Sequence, residues 1–166
     1  MIQAVKDKES AKQRQETKTA LLSSISIANL GLSLSSSSSS RQVHLLPRPA
    51  LIAIVDDDKL IRRSLTRLIK SLGFKVEAFA SAEDFLQRGN LRDTACLLLD
   101  VKLPGMSGLD LQRQLAPHHH IPIIFVSADD NPRTQDQALQ AGAVAFLRKP
   151  FSEEALLSGV QTALRR

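Results

Sequence analysis

Beyond Pro49 five short strand signatures recur, separated by stretches of helical character, and this alternation most restricts the folds open to the chain. Leu51–Val55 (LIAIV) is apolar throughout, as suits a strand buried on both faces. Ile61, Leu65, Leu68 and Leu72 then fall at helical spacing, with Arg62, Arg63, Arg67 and Lys70 on the other side and Gly73 at the end. Lys75–Phe79 alternates polar and apolar residues, the pattern of a strand nearer a sheet edge. Ser81, with Asp84 three residues on, opens a short helix carrying Phe85 and Leu86. Residues 95–99 (ACLLL) form a third strand that ends at Asp100, and the turn-rich PGMSG stretch leads into a helix through Leu109, Leu111 and Leu115. Residues 121–126 read as a fourth strand, and Asn131 caps a helix with Pro132 in its first position. Residues 143–147 are a fifth strand, and Ser152 starts a last helix running to Leu164. Such an order of elements predicts βαβ units and an α/β fold: a doubly wound, five-stranded parallel sheet covered on both faces.

Composition divides the chain at residue 48. All six phenylalanines lie beyond it. The net charge of +5 comes largely from before it, where Lys6, Lys8, Lys12, Arg14, Lys18, Arg41 and Arg48 face only Asp7, Glu9 and Glu16. The basic surplus therefore belongs to an extension and does not mark a nucleic-acid-binding fold. Residues 1–19 are polar without an apolar stripe, residues 20–34 interleave apolar residues with serine, and Ser35 to Ser40 are consecutive serines. Residues 1–48 are thus expected to be a disordered or linker-like extension, and residues 49–166 a single domain. The 20–34 stretch is too serine-diluted and too late to serve well as a signal peptide, and no Lys/Arg cluster accompanies it as in a membrane-surface helix. No methionine stands between Met1 and Met106, so a product starting near Val43 would need another start codon. A single cysteine, Cys96, excludes a disulfide framework and a cysteine-based zinc site, and it reads as a small buried hydrophobe. No apolar run reaches the roughly 18 residues of a spanning helix.

In an open parallel sheet ligands bind outside the carboxyl ends of the strands. Asp56, Asp57 and Asp58 follow the first strand, Asp100 the third, Ser127 the fourth and Lys149 the fifth. Carboxylates gathered there repel one another unless a cation offsets them, and Mg2+ is bound through one or two carboxylates, waters and a phosphoryl oxygen. A carboxylate beside such an ion can attack phosphorus to give an acyl phosphate, while an ammonium and a hydroxyl suit the remaining phosphoryl oxygens. The residues alone therefore point to aspartyl phosphorylation with Mg2+.

Residues 51–166 resemble the receiver domain of two-component response regulators, the CheY-like family. LIAIVDDD, LLLDVKLPGMSGLDL, PIIFVSA and AGAVAFLRKPF carry the resemblance, in order and at compatible spacing. The finer pattern is similar to the nitrogen-fixation-regulator branch, whose members usually continue into a DNA-binding domain. Only 16 residues follow Pro150, so no output domain is expected here. The resemblance implies a flavodoxin-like (βα)5 receiver fold with Asp100 as phosphoacceptor, Asp56 and Asp57 holding Mg2+, and Lys102 adding its backbone carbonyl. It implies Ser127 as the switch hydroxyl, Lys149 as the essential lysine, Phe146 as an aromatic that turns inward, and a cis Lys149–Pro150 peptide. Lys102 and Asp129 stand where the family tunes phosphate lifetime.

Each of these residues taken singly has a plainer explanation. The aspartates could complement a helix dipole, Asp100 could begin a turn, Ser127 could cap a loop and Phe146 could simply pack in the core. Their convergence from separate strands favours the site. His118, His119 and His120 read as a solvated loop, and Arg62, Arg63 and Arg67 as a solvated face or, alternatively, a kinase-docking surface. The expected function is a stand-alone phosphoacceptor. It takes phosphoryl from a histidine kinase or histidine phosphotransfer protein and signals to a downstream protein target or by phosphorylation-dependent dimerisation. It is expected in the cytoplasm, without direct nucleic-acid or membrane binding and without turnover as an enzyme. The alternatives are the N-terminal part of a DNA-binding regulator and a non-phosphorylated interaction module. A phosphatase of related α/β type is disfavoured because Lys102 stands where such hydrolases place an aspartate.

Overall fold

A computed structural model describes residues 49–166. The expectations for residues 1–48, from the charged start to the serine run, lie outside the described residues. Five strands, β1 (Leu51–Val55), β2 (Lys75–Phe79), β3 (Thr94–Leu99), β4 (Ile123–Ser127) and β5 (Ala145–Arg148), form one parallel sheet in the order β2-β1-β3-β4-β5. Five helices alternate with them: α1 (Lys59–Ser71), α2 (Ala82–Arg88), α3 (Gly108–Leu115), α4 (Pro132–Gln140) and α5 (Glu153–Leu164). This is the expected doubly wound (βα)5 architecture, with β2 at an edge and β3 in the centre.

Side chains alternate across a strand, so one sheet serves two cores. Ala53, Val55, Leu97, Leu99 and Phe125 pack with Phe85 of α2, Leu111 and Leu115 of α3 and Ala138 of α4. Ile52, Ile54, Cys96, Leu98, Ile124 and Val126 pack on the other face with Leu65 and Ile69 of α1 and Leu156, Val160 and Ala163 of α5. Continuous apolar runs in β1, β3 and β4 follow from this, because both of their faces are buried.

The helices begin where capping chemistry places them. Ser81, Ser107, Asn131 and Ser152 each accept a backbone N–H from the first turn of the helix that follows. Asp58 does the same for α1, with Oδ1 accepting from Leu60 N at 2.7 Å and Ile61 N at 3.2 Å. Gly73 lies just beyond α1 at φ +89°, a left-handed conformation that glycine adopts without a Cβ penalty.

Three strands start elsewhere than the apolar runs suggest. β4 begins at Ile123, two residues late, because Pro122 has no N–H to donate; its carbonyl accepts from Leu97 N instead. β5 begins at Ala145, because Gly142 turns at φ +92° and Ala143 N bonds back to Ala138 O of α4. β3 gains Thr94, which lies opposite Leu51.

Candidate functional site

Because β1, β3, β4 and β5 are successive neighbours and parallel, the residues at their carboxyl ends emerge side by side. Main-chain bonds extend this order past the strands: Asp100 N donates to Val55 O, and Lys149 N donates to Ser127 O. The Lys149–Pro150 peptide is cis. Asp56, Asp100 and Ser127 are buried, at 1%, 8% and 0% exposure, so their polar atoms need partners inside the protein.

They find them in one another. Lys149 Nζ lies 2.7 Å from Asp56 Oδ2 and 2.9 Å from Asp100 Oδ2. The Ser127 hydroxyl donates to Asp100 Oδ1 at 2.7 Å, and Lys102 N donates to the same oxygen at 3.2 Å. Asp57, exposed to solvent, completes a group in which Asp56, Asp57 and Asp100 each offer a carboxylate oxygen within 4.8 Å of the others. The five side chains expected to converge do so, and Lys102 reaches Asp100 through its backbone N–H.

Charge at this cluster is unbalanced. Burial pushes the Asp56 carboxyl above its ordinary range, and the nearby Asp100 charge adds to the rise, although the Lys149 ammonium and the Asp58 N–H pull the other way. Burial also works against the charge on Lys149, but its hydrogen bonds to Asp56 and Asp100 outweigh this and hold the ammonium above the usual lysine range. One ammonium thus pairs with two carboxylates of a group of three. All-oxygen donors of this kind, with one side open to solvent, fit a hard divalent cation such as Mg2+.

The neighbouring residues have sharper roles than the sequence suggested. Asp58 caps α1 by its side chain while its N–H donates to Asp56 Oδ1 at 2.8 Å. Arg62 corrects the reading of a solvated face: half-buried, it donates from Nη1 to the Asp56 carbonyl at 2.6 Å and braces the loop that carries the aspartates. Arg63 and Arg67 are exposed, as expected. Lys102 extends its ammonium to Asp129, 3.5 Å away, linking the loops after β3 and β4. Phe146 is half-buried and stacks on Phe125, with ring centroids 5.9 Å apart. His118, His119 and His120 follow α3, toward the amino ends of the strands and away from the carboxylates. Cys96 is buried in β3.

Two contributors escaped the sequence reading altogether. Gly108 donates its N–H to Val101 O, and its Cα lies so near the Asp100 carbonyl that no side chain fits. Its signal was its place at the junction of the PGMSG turn and a helix. Glu83, on α2, accepts from Met106 N at 2.8 Å and ties that turn down; a surface glutamate gives no such hint.

Comparison with known proteins agrees with this geometry. The family profile of the response regulator receiver domain matches residues 52–161. The response regulator protein TodT of Pseudomonas putida is 45% identical over 123 residues, covering 74% of this chain and 54% of TodT. The chain thus spans about half the length of the curated relatives it matches. Among solved structures, the response regulator StyR is 42% identical with a TM-score of 0.66, over 71% of this chain and 60% of that one. FixJ-N superposes with the same TM-score at 31% identity, over 72% of this chain and 96% of that one. A carboxylate cluster at the tips of a (βα)5 sheet and a family profile spanning most of the described residues lead to one assignment: the chain belongs to the response regulator receiver domain family.

Proposed function

We propose that residues 49–166 form a phosphoacceptor unit in which Asp100 takes a phosphoryl group from a phosphohistidine on a sensor kinase or histidine phosphotransfer protein. An Asp100 carboxylate oxygen attacks phosphorus in line with the P–N bond. The new O–P bond forms as the P–N bond breaks, and the imidazole leaves with the electron pair, to be protonated by solvent. The single observation behind this reading is the double engagement of Asp100: Lys149 holds one oxygen, while Ser127 and the Lys102 N–H hold the other. Fixed donors of this kind hold the carboxylate in position for attack.

Asp56, Asp57 and Asp100 would hold Mg2+, which supplies charge neutralisation on the transferring phosphoryl oxygens. Lys149 is placed to exchange a carboxylate partner for a phosphoryl oxygen, and Ser127 to turn its hydroxyl from Asp100 Oδ1 to another. Movement of Ser127 toward phosphate would leave room for Phe146 to turn inward, a two-state shift biased by the modification. The output is a changed outer surface read by a downstream protein or by a second copy of the chain. We place this activity in the cytoplasm; among the described residues no helix is long and apolar enough to cross a membrane.

The test uses a small-molecule phosphodonor with Mg2+. The wild-type protein should acquire a hydroxylamine-sensitive phosphoryl group and Asp100→Ala should acquire none; equal labelling of the two would refute the assignment. A second reading is favoured by the length of the relatives, of which TodT is matched over 54% and FixJ of Azorhizobium caulinodans, described as a transcriptional regulatory protein, over 58%. In it the same receiver governs an attached DNA-binding part, and a helix-turn-helix encoded downstream of Arg166 would distinguish the two.

A further inference from the structure

Of the three carboxylates at the strand tips, two are held by neighbouring groups and one is not. Asp56 accepts from Lys149 Nζ at 2.7 Å and from Asp58 N at 2.8 Å, and Asp100 accepts from Lys149, Ser127 and the Lys102 N–H. The Asp57 side chain is exposed and has no hydrogen-bond or ion-pair partner among the described residues. Its carboxylate nevertheless offers an oxygen within 4.8 Å of those of Asp56 and Asp100. That placement has to come from the main chain on which the side chain stands.

Arg62 acts on that main chain. Its Nη1 donates to the Asp56 carbonyl at 2.6 Å, and this carbonyl belongs to the peptide that joins Asp56 to Asp57. A peptide unit is planar and moves as one body, so a bond that fixes its oxygen also fixes the direction in which Asp57 leaves it. The donor is itself anchored: Arg62 N donates to Asp58 O at 2.9 Å, Asp58 caps α1, and Asp58 N returns to Asp56 Oδ1. Arg63, the next residue on the helix, is exposed and makes no such bond. We propose, on the reading of this cluster as a Mg2+ site, that Arg62 is a positioning residue for the cation. Its guanidinium holds the Asp56–Asp57 peptide so that the Asp57 carboxylate stays with those of Asp56 and Asp100. Charge and position here predict opposite effects. A guanidinium beside a cation site repels the cation, so by charge alone its removal tightens Mg2+ binding. By position its removal weakens Mg2+ binding about ten-fold, as loss of a group that orients a metal ligand does.

The test titrates uniformly 15N-labelled full-length protein with Mg2+ at fixed ionic strength and follows the backbone amides of Asp57 and Asp100. Arg62→Gln should raise the Mg2+ dissociation constant about ten-fold. Arg62→Lys, which keeps the charge but not the planar fork, should raise it by about three-fold. Arg63→Gln removes the same charge one residue away and should leave the constant at the wild-type value or lower it. Urea unfolding of each variant separates the alternatives, because a merely structural Arg62 lowers stability and leaves the Mg2+ constant of the folded protein unmoved. That result overturns the proposal, as does an Arg62→Gln constant at or below wild type, an equal rise for Arg63→Gln, or no saturable shift in the wild-type protein. If Arg62→Gln does not fold, Arg62→Lys against Arg63→Lys decides, and equal constants for that pair overturn the proposal. No phosphodonor is present in the titration. Unlabelled Asp100 in a protein that binds Mg2+ as expected therefore defeats the phosphoacceptor reading alone, and normal labelling with an unmoved Arg62→Gln constant defeats this proposal alone.

Discussion

A Cβ at position 108 would overlap the Asp100 carbonyl oxygen and come within 3.1 Å of Val101 Cα, both of them backbone atoms that cannot swing aside. Gly108→Ala must therefore move the loop that presents the Asp100 carboxylate. We expect it to lower stability by about 2 kcal/mol in urea unfolding and to slow phosphodonor labelling more than that loss explains at temperatures where the variant is folded. Cys96 makes the opposite case, a reactive group silenced by its surroundings. Burial pushes its thiol up to about 12, so the folded protein keeps the proton that the unfolded chain releases at its ordinary value. The sign follows: this contribution to stability is complete below the unfolded thiol value and declines as pH rises toward about 12. Alkylation by iodoacetamide at mildly alkaline pH should run about a hundred-fold or more slower in the native protein than in denaturant. At this scale the sequence was most informative where chemistry demands a residue type at a strand end, as at Asp56, Asp100, Ser127 and Lys149. Arg62 and Glu83 were hidden because both act on main-chain atoms, an Asp56 carbonyl and a Met106 N–H, and side-chain identity does not advertise such contacts.

Secondary structure was legible wherever two local signals agreed. Asn131 with Pro132, and Ser152 ahead of an apolar helix, mark helix starts that the structure repeats. The start of β4 was misread because apolar character extends back to Ile121, whereas pairing begins only past Pro122. The three consecutive aspartates show how one short run is divided by the elements it joins: Asp56 ends a strand and is buried, Asp57 stays exposed in the turn, and Asp58 caps α1. That division is open to measurement. Asp58→Ala removes the side-chain cap but keeps the N–H that bonds Asp56, so it should cost about 1 kcal/mol of stability while leaving the labelling rate within about two-fold of wild type. Parallel loss of labelling would place Asp58 in the site instead of at the helix start.

For the molecule as a whole, the shortage of positive charge at the strand tips becomes a dependence on cation and pH. The Asp56 carboxyl sits above its unfolded value, so the folded state binds the extra proton and this group's contribution to stability fades as pH rises through its folded value. A divalent cation bound only by the folded protein reverses that loss by mass action. We expect Mg2+ to raise the unfolding temperature in a concentration-dependent way, more at pH 7 than in the acid range where Asp56 holds a proton. EDTA should abolish the rise and Asp57→Asn should blunt it in a calorimetric scan. An equal rise at both pH values would separate the effect from the carboxylate cluster.

The two-sided sheet has a mechanical corollary. Ser127 lies two residues beyond Phe125 on β4, so both side chains leave the same side of the strand, and Phe125 lies opposite Phe146 in the β4–β5 register. That side supports α2, α3 and α4, while α1 and α5 rest on the reverse. Under the proposed phosphoacceptor role, traction on the serine alcohol would be geared to a single flank of the molecule, with the other flank as its chassis.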